Sequence, residues 1–84
     1  MDFSAALTEL KHFKRISREG WNGKGMYLLR VGPQDWNCDN DSFDERESDL
    51  ELCPFIVMKT ADNKLVPWLA SQTDILADDW GVVS

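Results

Sequence analysis

The sequence predicts an α+β fold, with a small antiparallel sheet packed against one N-terminal helix and a short second helix near the C-terminus. Three observations predict it. Apolar residues recur at helical spacing near the start of the chain, at Phe3, Ala6, Leu7 and Leu10. The rest is short β-rich runs divided by Gly, Pro, Asn and Asp. With 84 residues and no repeat or linker, the chain reads as a single domain, 1–84.

The elements follow in order. Residues 3–14 read as the amphipathic helix, with Asp2 or Ser4 as cap and Phe13 near the edge of the stripe. His12 lies about half a turn from the stripe's centre and should be solvated. RISR, Arg15 to Arg18, reads as a short strand, and GWNGKG, Gly20 to Gly25, as a glycine-rich turn. MYLLRV, Met26 to Val31, is a second strand. Gly32-Pro33 opens a long acidic segment, about 32–53, which Pro54 closes. FIVMK, Phe55 to Lys59, is a clear strand, and Leu65 to Trp68 pairs back on it across the polar turn Ala61 to Lys64. Ser71 caps a short helix, Gln72 to Ala77, with Asp74 as a weak capping-box partner. Asp78 and Asp79 end it, and Trp80 to Val83 is the last strand.

A domain of this size buries roughly two-thirds of the surface its unfolded chain exposes, so its core is thin. A ligand pocket is then expected where copies of the chain meet. The composition, 43% hydrophobic and 29% charged, is that of a globular protein. Four tryptophans are many for this length; each serves either packing or contact with a flat ligand. The opening residues do not read as a signal peptide, and no apolar run approaches the roughly 20 residues of a membrane span. A soluble, cytosolic protein without a membrane partner is expected. Cys38 and Cys53 form no C-x-x-C pair and have no nearby histidine, so they read as free thiols, not metal ligands.

The net charge of −6 argues at first sight against anionic partners, and no nucleic-acid partner is expected. Asp35 to Glu51, however, holds eight acids and one base, −7, which leaves the remainder of the chain at +1. A phosphate is therefore compatible with the body of the domain if the acidic segment lies away from it. The acidic segment admits three readings: a solvated loop, a calcium loop that lacks the usual turn glycine and terminal glutamate, or an acidic surface that mimics DNA or binds a protein.

Two segments look like a site. In Gly20-Trp21-Asn22-Gly23-Lys24-Gly25-Met26, glycine amides can form an anion nest, Lys24 adds charge, Asn22 a directional polar group and Trp21 a stacking face. A plain strand connection needing positive φ at its glycines explains the same residues. In the second, Pro67 to Trp80, the residues Ser71, Gln72, Thr73 and Asp74 stand at a helix start, between two tryptophans. An ordinary cap beside packing tryptophans is the alternative. No nucleophile has a base partner in sequence, so a binding protein is expected, not an enzyme, with no cofactor.

GWNGKGMYL together with PFIVMKTADNKLVPWLASQTDILADDW resembles the second anti-Thoeris (Thoeris anti-defence) family of phages, over nearly the whole chain except the acidic segment. The resemblance implies a sponge acting in the cytoplasm of the infected bacterium. Such a protein binds glycocyclic ADP-ribose, the signal made by Thoeris TIR proteins, without cleaving it. It also implies a homotetramer with pockets at subunit contacts, and for some members a separate site for CBASS cyclic dinucleotides. The site residues it implies here are Trp21, Asn22, Gly23, Lys24, Gly25, Met26, Trp68, Ser71, Gln72, Thr73 and Asp74. The rival reading is an acidic mimic that blocks a defence protein directly; a small structural virion protein is a third.

Overall fold

The computed structural model describes residues 1–21, 25–32 and 53–83. Its elements are α1 (Phe3–Lys11), β1 (Ile16–Arg18), β2 (Tyr27–Val31), β3 (Phe55–Lys59), β4 (Leu65–Pro67), α2 (Gln72–Ile75) and β5 (Trp80–Val82). The five strands form one antiparallel sheet in the order β4-β3-β2-β1-β5. The α+β architecture expected from the sequence is thus the one observed.

Strand alternation decides which side chains meet the helix. Ile16 pairs with Leu28 and Val82, Leu28 with Met58, and Arg18 with Trp80, so these residues share one face. Helix α1 lies on that face, and Ala6 and Leu10 are buried with Ile16, Leu28 and Trp80 as the core. Phe3 and Leu7 pack on its margin. With Val31 and Val57, the five core residues make seven buried hydrophobic residues among those described, a thin core, as expected for this length. Each fully buried Leu or Ile contributes about 1.5–3 kcal/mol.

Helix α1 starts as expected. Asp2 is the cap, and its carboxylate accepts from the Ala5 amide at 2.9 Å. The expectation that the helix runs to residue 14 is corrected: it stops at Lys11. Lys14 N–H donates to Glu9 O at 3.1 Å and Phe13 N–H to Leu10 O at 3.0 Å, the bond pattern of a Schellman stop. Phe13 occupies the position where glycine is usual, at φ 66°, with its side chain 64% exposed. No glycine marks this stop, and the apolar spacing runs straight through it. His12 is exposed as expected, its Nδ1 2.8 Å from Thr8 O.

The β3–β4 turn closes through Asn63 N–H to Thr60 O and Thr60 N–H to Lys64 O. Asn63 supplies the positive φ, 65°, that glycine would otherwise provide. Strand β4 ends at Pro67 and not Trp68, although Trp68 N–H still reaches Ile56 O at 3.0 Å. Helix α2 ends at Ile75 instead of Ala77, because the Trp80 indole takes the carbonyl of Asp74 at 2.8 Å. No helix among the described residues is long and apolar enough to cross a membrane. Cys53 is an exposed free thiol. Cys38 and the acidic segment through residue 52 lie outside the described residues.

Phe13→Gly should stabilise the protein. The left-handed backbone costs a non-glycine residue about 1–3 kcal/mol. The exposed contact of the ring with the Arg30 guanidinium, 4.9 Å away, returns about 0.5–1 kcal/mol. The expected net gain is about 1 kcal/mol, a Tm rise of roughly 4–8 °C. An unchanged or lower Tm in thermal unfolding would contradict the strain argument.

Candidate functional site

The two segments singled out in the sequence meet at the end of the sheet where β1 finishes and β5 begins. The first-segment residue is Trp21, three residues beyond Arg18 of β1. The second segment brings Trp68, Ser71, Asp74 and Trp80. Trp80 is the centre of an aromatic cluster. Its ring centroid lies 5.3 Å from Phe3, 5.3 Å from Trp21 at an interplanar angle of 80°, and 6.2 Å from Trp68 at 87°. Edge-on pairs of this kind add about 0.5–1.5 kcal/mol each beyond area burial.

A polar network locks this cluster. Arg18 leaves β1 on the helix face and donates from Nη1 to Asp74 Oδ1 at 2.7 Å and from Nε to Asp79 Oδ1 at 2.8 Å. Asp79 Oδ2 accepts from the Gly20 amide at 2.7 Å. Asp74 Oδ1 also accepts the Trp21 indole N–H at 3.2 Å. Its carbonyl accepts the Trp80 indole, and its amide donates to Ser71 Oγ at 3.1 Å. Asp74 therefore touches both segments through three separate groups. A Cβ at Gly20 would stand 2.9 Å from Asp79 Oδ2, so a larger residue there would have to displace that carboxylate.

The network sets the charge states. Bonds from Asp79 and then Asp74 raise the Arg18 pKa. Asp79 is held below the ordinary carboxylate range, chiefly by its bond from Arg18 and also by the Gly20 amide. For Asp74 burial is the largest influence and pushes upward. The bonds from Arg18, Trp21 and Ser71, with the Arg18 charge, together outweigh it and leave Asp74 lowered. Both aspartates are thus carboxylates at neutral pH.

The other expected residues fall as follows. Gly25 is exposed at φ 79°, and its carbonyl accepts from Lys59 Nζ at 2.9 Å; Met26 is half-buried. Gln72 and Thr73 are exposed on the single turn of α2. Asn22, Gly23 and Lys24 lie outside the described residues. Of the two roles open to Trp21, packing is observed: it packs on the core and donates its indole N–H to Asp74. The start of α2 admits either an anion-attracting helix terminus or an ordinary cap, and its geometry is that of a cap. It has one turn, Ser71 already takes the Asp74 amide, and the Asp74 carboxylate stands in that turn, so little positive field is left. Arg18 and Asp79 were missed. The first was read only as part of a strand, the second only as a helix end.

Fold and site define the class: a small α+β domain that presents an aromatic cluster, clamped by one arginine between two aspartates, at one end of its sheet. The model of the Thoeris anti-defense 2-like domain matches residues 1–83. A protein of Bacillus phage SP01, Thoeris anti-defense 2, is 41% identical over 85 residues, which cover 100% of this chain and 96% of that protein. The chain belongs to the Thoeris anti-defense 2-like family.

Two outcomes are expected of the network. A carboxylate with a lowered folded-state pKa adds stability above its unfolded pKa, near 3.9, and loses it as pH falls through the folded value. Tm should hold from neutral pH to about pH 5 and fall below about pH 4, with a shallower acid limb in Asp79→Asn. An equally steep limb in that variant would remove Asp79 from the account. Trp21→Ala should cost about 2 kcal/mol of stability, a Tm drop of about 10 °C. A Tm within a degree of wild type would return Trp21 to the surface.

Proposed function

We propose that the protein is a phage anti-defence sponge. In this reading it binds a cyclic ADP-ribose-type immune signal, glycocyclic ADP-ribose made by Thoeris TIR proteins, and sequesters it in the cytoplasm of the infected host. The observation that carries the reading is the meeting of Trp21, Trp68 and Asp74 from two distant segments, in a chain of this family. Indole faces suit adenine, where stacking is worth roughly 1–3 kcal/mol per base. Asp74 suits a ribose hydroxyl or an exocyclic amine, because it is a carboxylate held ionised beside the indole of Trp21.

A sponge must outcompete the effector stoichiometrically, which calls for nanomolar binding, about −12 kcal/mol. One thin domain does not enclose that much ligand, so the pocket belongs between copies in a homotetramer. Exposed apolar side chains beside the site support this: Leu69 is 91% and Leu76 76% exposed. The proposed ligand contacts remain Trp21, Asn22, Gly23, Lys24, Gly25, Met26, Trp68, Ser71, Gln72, Thr73 and Asp74. Cyclic dinucleotides at a separate site belong to the same proposal. Binding leaves the ligand intact, because Asp74 and Asp79 are held ionised by Arg18 and are poorly suited to carry protons at neutral pH.

Calorimetric titration with glycocyclic ADP-ribose should give saturable nanomolar binding, and heat denaturation of the complex should release the unchanged cyclic molecule. Hydrolysed product would establish an enzyme; no heat from any cyclic nucleotide would favour the acidic-mimic reading. Leu76→Glu should shift the sedimenting species toward monomer and weaken binding at least tenfold. A monomeric wild type at micromolar concentration would end the interfacial-pocket proposal.

A further inference from the structure

The end of the sheet away from Arg18 and Asp74 is basic. Helix α1 stops there at Lys11, and Lys14 and Arg15 follow; all three are exposed. Arg30, near the end of β2, lines one hollow with Lys11 and Leu10, and its guanidinium lies 4.9 Å from the centroid of the Phe13 ring. Strand alternation puts Arg15, the neighbour of Ile16, on the face opposite α1, where its guanidinium lies 4.9 Å from the Tyr27 ring. The four cations therefore wrap the sheet end and do not converge on one point. Among the described residues the ion pairs engage Arg18 and Lys64, and none of these four takes part in one. Arg30 Nη1 is buried and has no hydrogen-bond acceptor. Charges spread round an edge in this way suit a chain of anions better than a single small one.

An acidic chain is tethered at this same end. Val31, the last residue of β2, pairs with Phe55, the first of β3, and residues 32–54 connect the two. Val31 lines a hollow with Phe13 and Arg15, while Pro54 and Phe55 line one with Lys11 and Arg30. Both roots of the connection thus adjoin the basic group. Within the connection Asp35 to Glu51 carries a net −7 and lies outside the described residues. A short tether holds its carboxylates at an effective concentration on the order of millimolar, which favours them over a dilute acidic partner. Tyr27, at the other end of β2, is roughly 13 Å away along the strand, beyond the screening length of about 8 Å at physiological salt.

We propose that the basic group is the docking surface of the chain's own acidic segment, Asp35 to Glu51, whose carboxylates pair with Lys11, Lys14, Arg15 and Arg30. The pairing sets four positive charges against the net −7 where the segment is rooted. It also keeps that charge away from the end of the sheet that holds Trp21 and Asp74. The proposal does not rest on the sponge reading; it holds whatever that end binds.

The test is zero-length carbodiimide cross-linking of the full chain, which joins an amine to a carboxylate where the two touch, with the products read by peptide mass spectrometry. Isotope-labelled and unlabelled protein are mixed in equal parts, so that a bond within one chain carries a single label. Lys11 and Lys14 should join acids of Asp35 to Glu51 within one chain. The yield should fall at least about threefold as salt rises from about 0.01 M to about 1 M and the screening length drops from about 30 Å to about 3 Å. Lys64, 3.4 Å from Asp62 in the β3–β4 turn, is the internal control and should join Asp62 instead. In the same protein, Asp39→Asn, Asp41→Asn and Asp44→Asn together should move the Arg15 and Arg30 Nε–H resonances and leave that of Arg18 in place. Segment bonds to Lys64 as frequent as those to Lys11 and Lys14 would overturn the proposal and make the segment a solvated one. Bonds mainly between differently labelled chains would overturn it in favour of a contact between copies. Arg15 and Arg30 resonances indifferent to the triple change would overturn it as well.

Discussion

The bond between Arg18 and Asp74 joins parts of the chain 56 residues apart, and the aromatic end of the sheet depends on it. Without it the half-buried Asp74 carboxylate would have only the neutral Trp21 indole and Ser71 to offset its charge. With it, one aspartate orients Trp21 through its side chain, Trp80 through its carbonyl and Ser71 through its amide. Asp79 extends the clamp to the backbone of Gly20. Ion pairs on open surfaces contribute little to stability. This one has side chains only 16% and 17% exposed, and with the Asp79 pair it occupies two donors of one guanidinium, so its role is to hold geometry.

The geometry explains how a domain with so thin a core beneath its helix can offer a defined aromatic surface. Trp80 closes the core from β5, and Phe3, Trp21 and Trp68 stand around it. Two of the three come from positions read in the sequence as ligand contacts. They serve the fold and the surface at once, which is economical in a short chain. It also means that affinity and stability are coupled at Trp21, and substitutions there must be judged by both.

Much of the fold was legible in the sequence because its signals are local. The stripe Phe3, Ala6, Leu7, Leu10 marked α1, and FIVMK with its polar turn marked the β3–β4 hairpin. What was not legible depended on long-range partners. The stop after Lys11 uses Phe13 where a glycine would have announced it. The end of α2 is set by an indole six residues further on. Arg18 carries no mark within RISR, and Asp79 looks like any acid after a helix; only the pairing of β1 with β5 brings them together. The two tryptophan-bearing segments were legible as a pair of motifs; their meeting at Trp80 and their link through Asp74 were not.

The central claim is that the clamped cluster is the face that meets the ligand. Its most direct test is the indole N–H spectrum of the protein during titration with glycocyclic ADP-ribose. The account expects the signals of Trp21 and Trp68 to move to saturation at a fixed stoichiometry, while the Nε–H of Arg18 keeps the position set by Asp79. If the ligand binds tightly and those indole signals stay where they are, the cluster is a packing device only, and the binding face lies elsewhere on the chain.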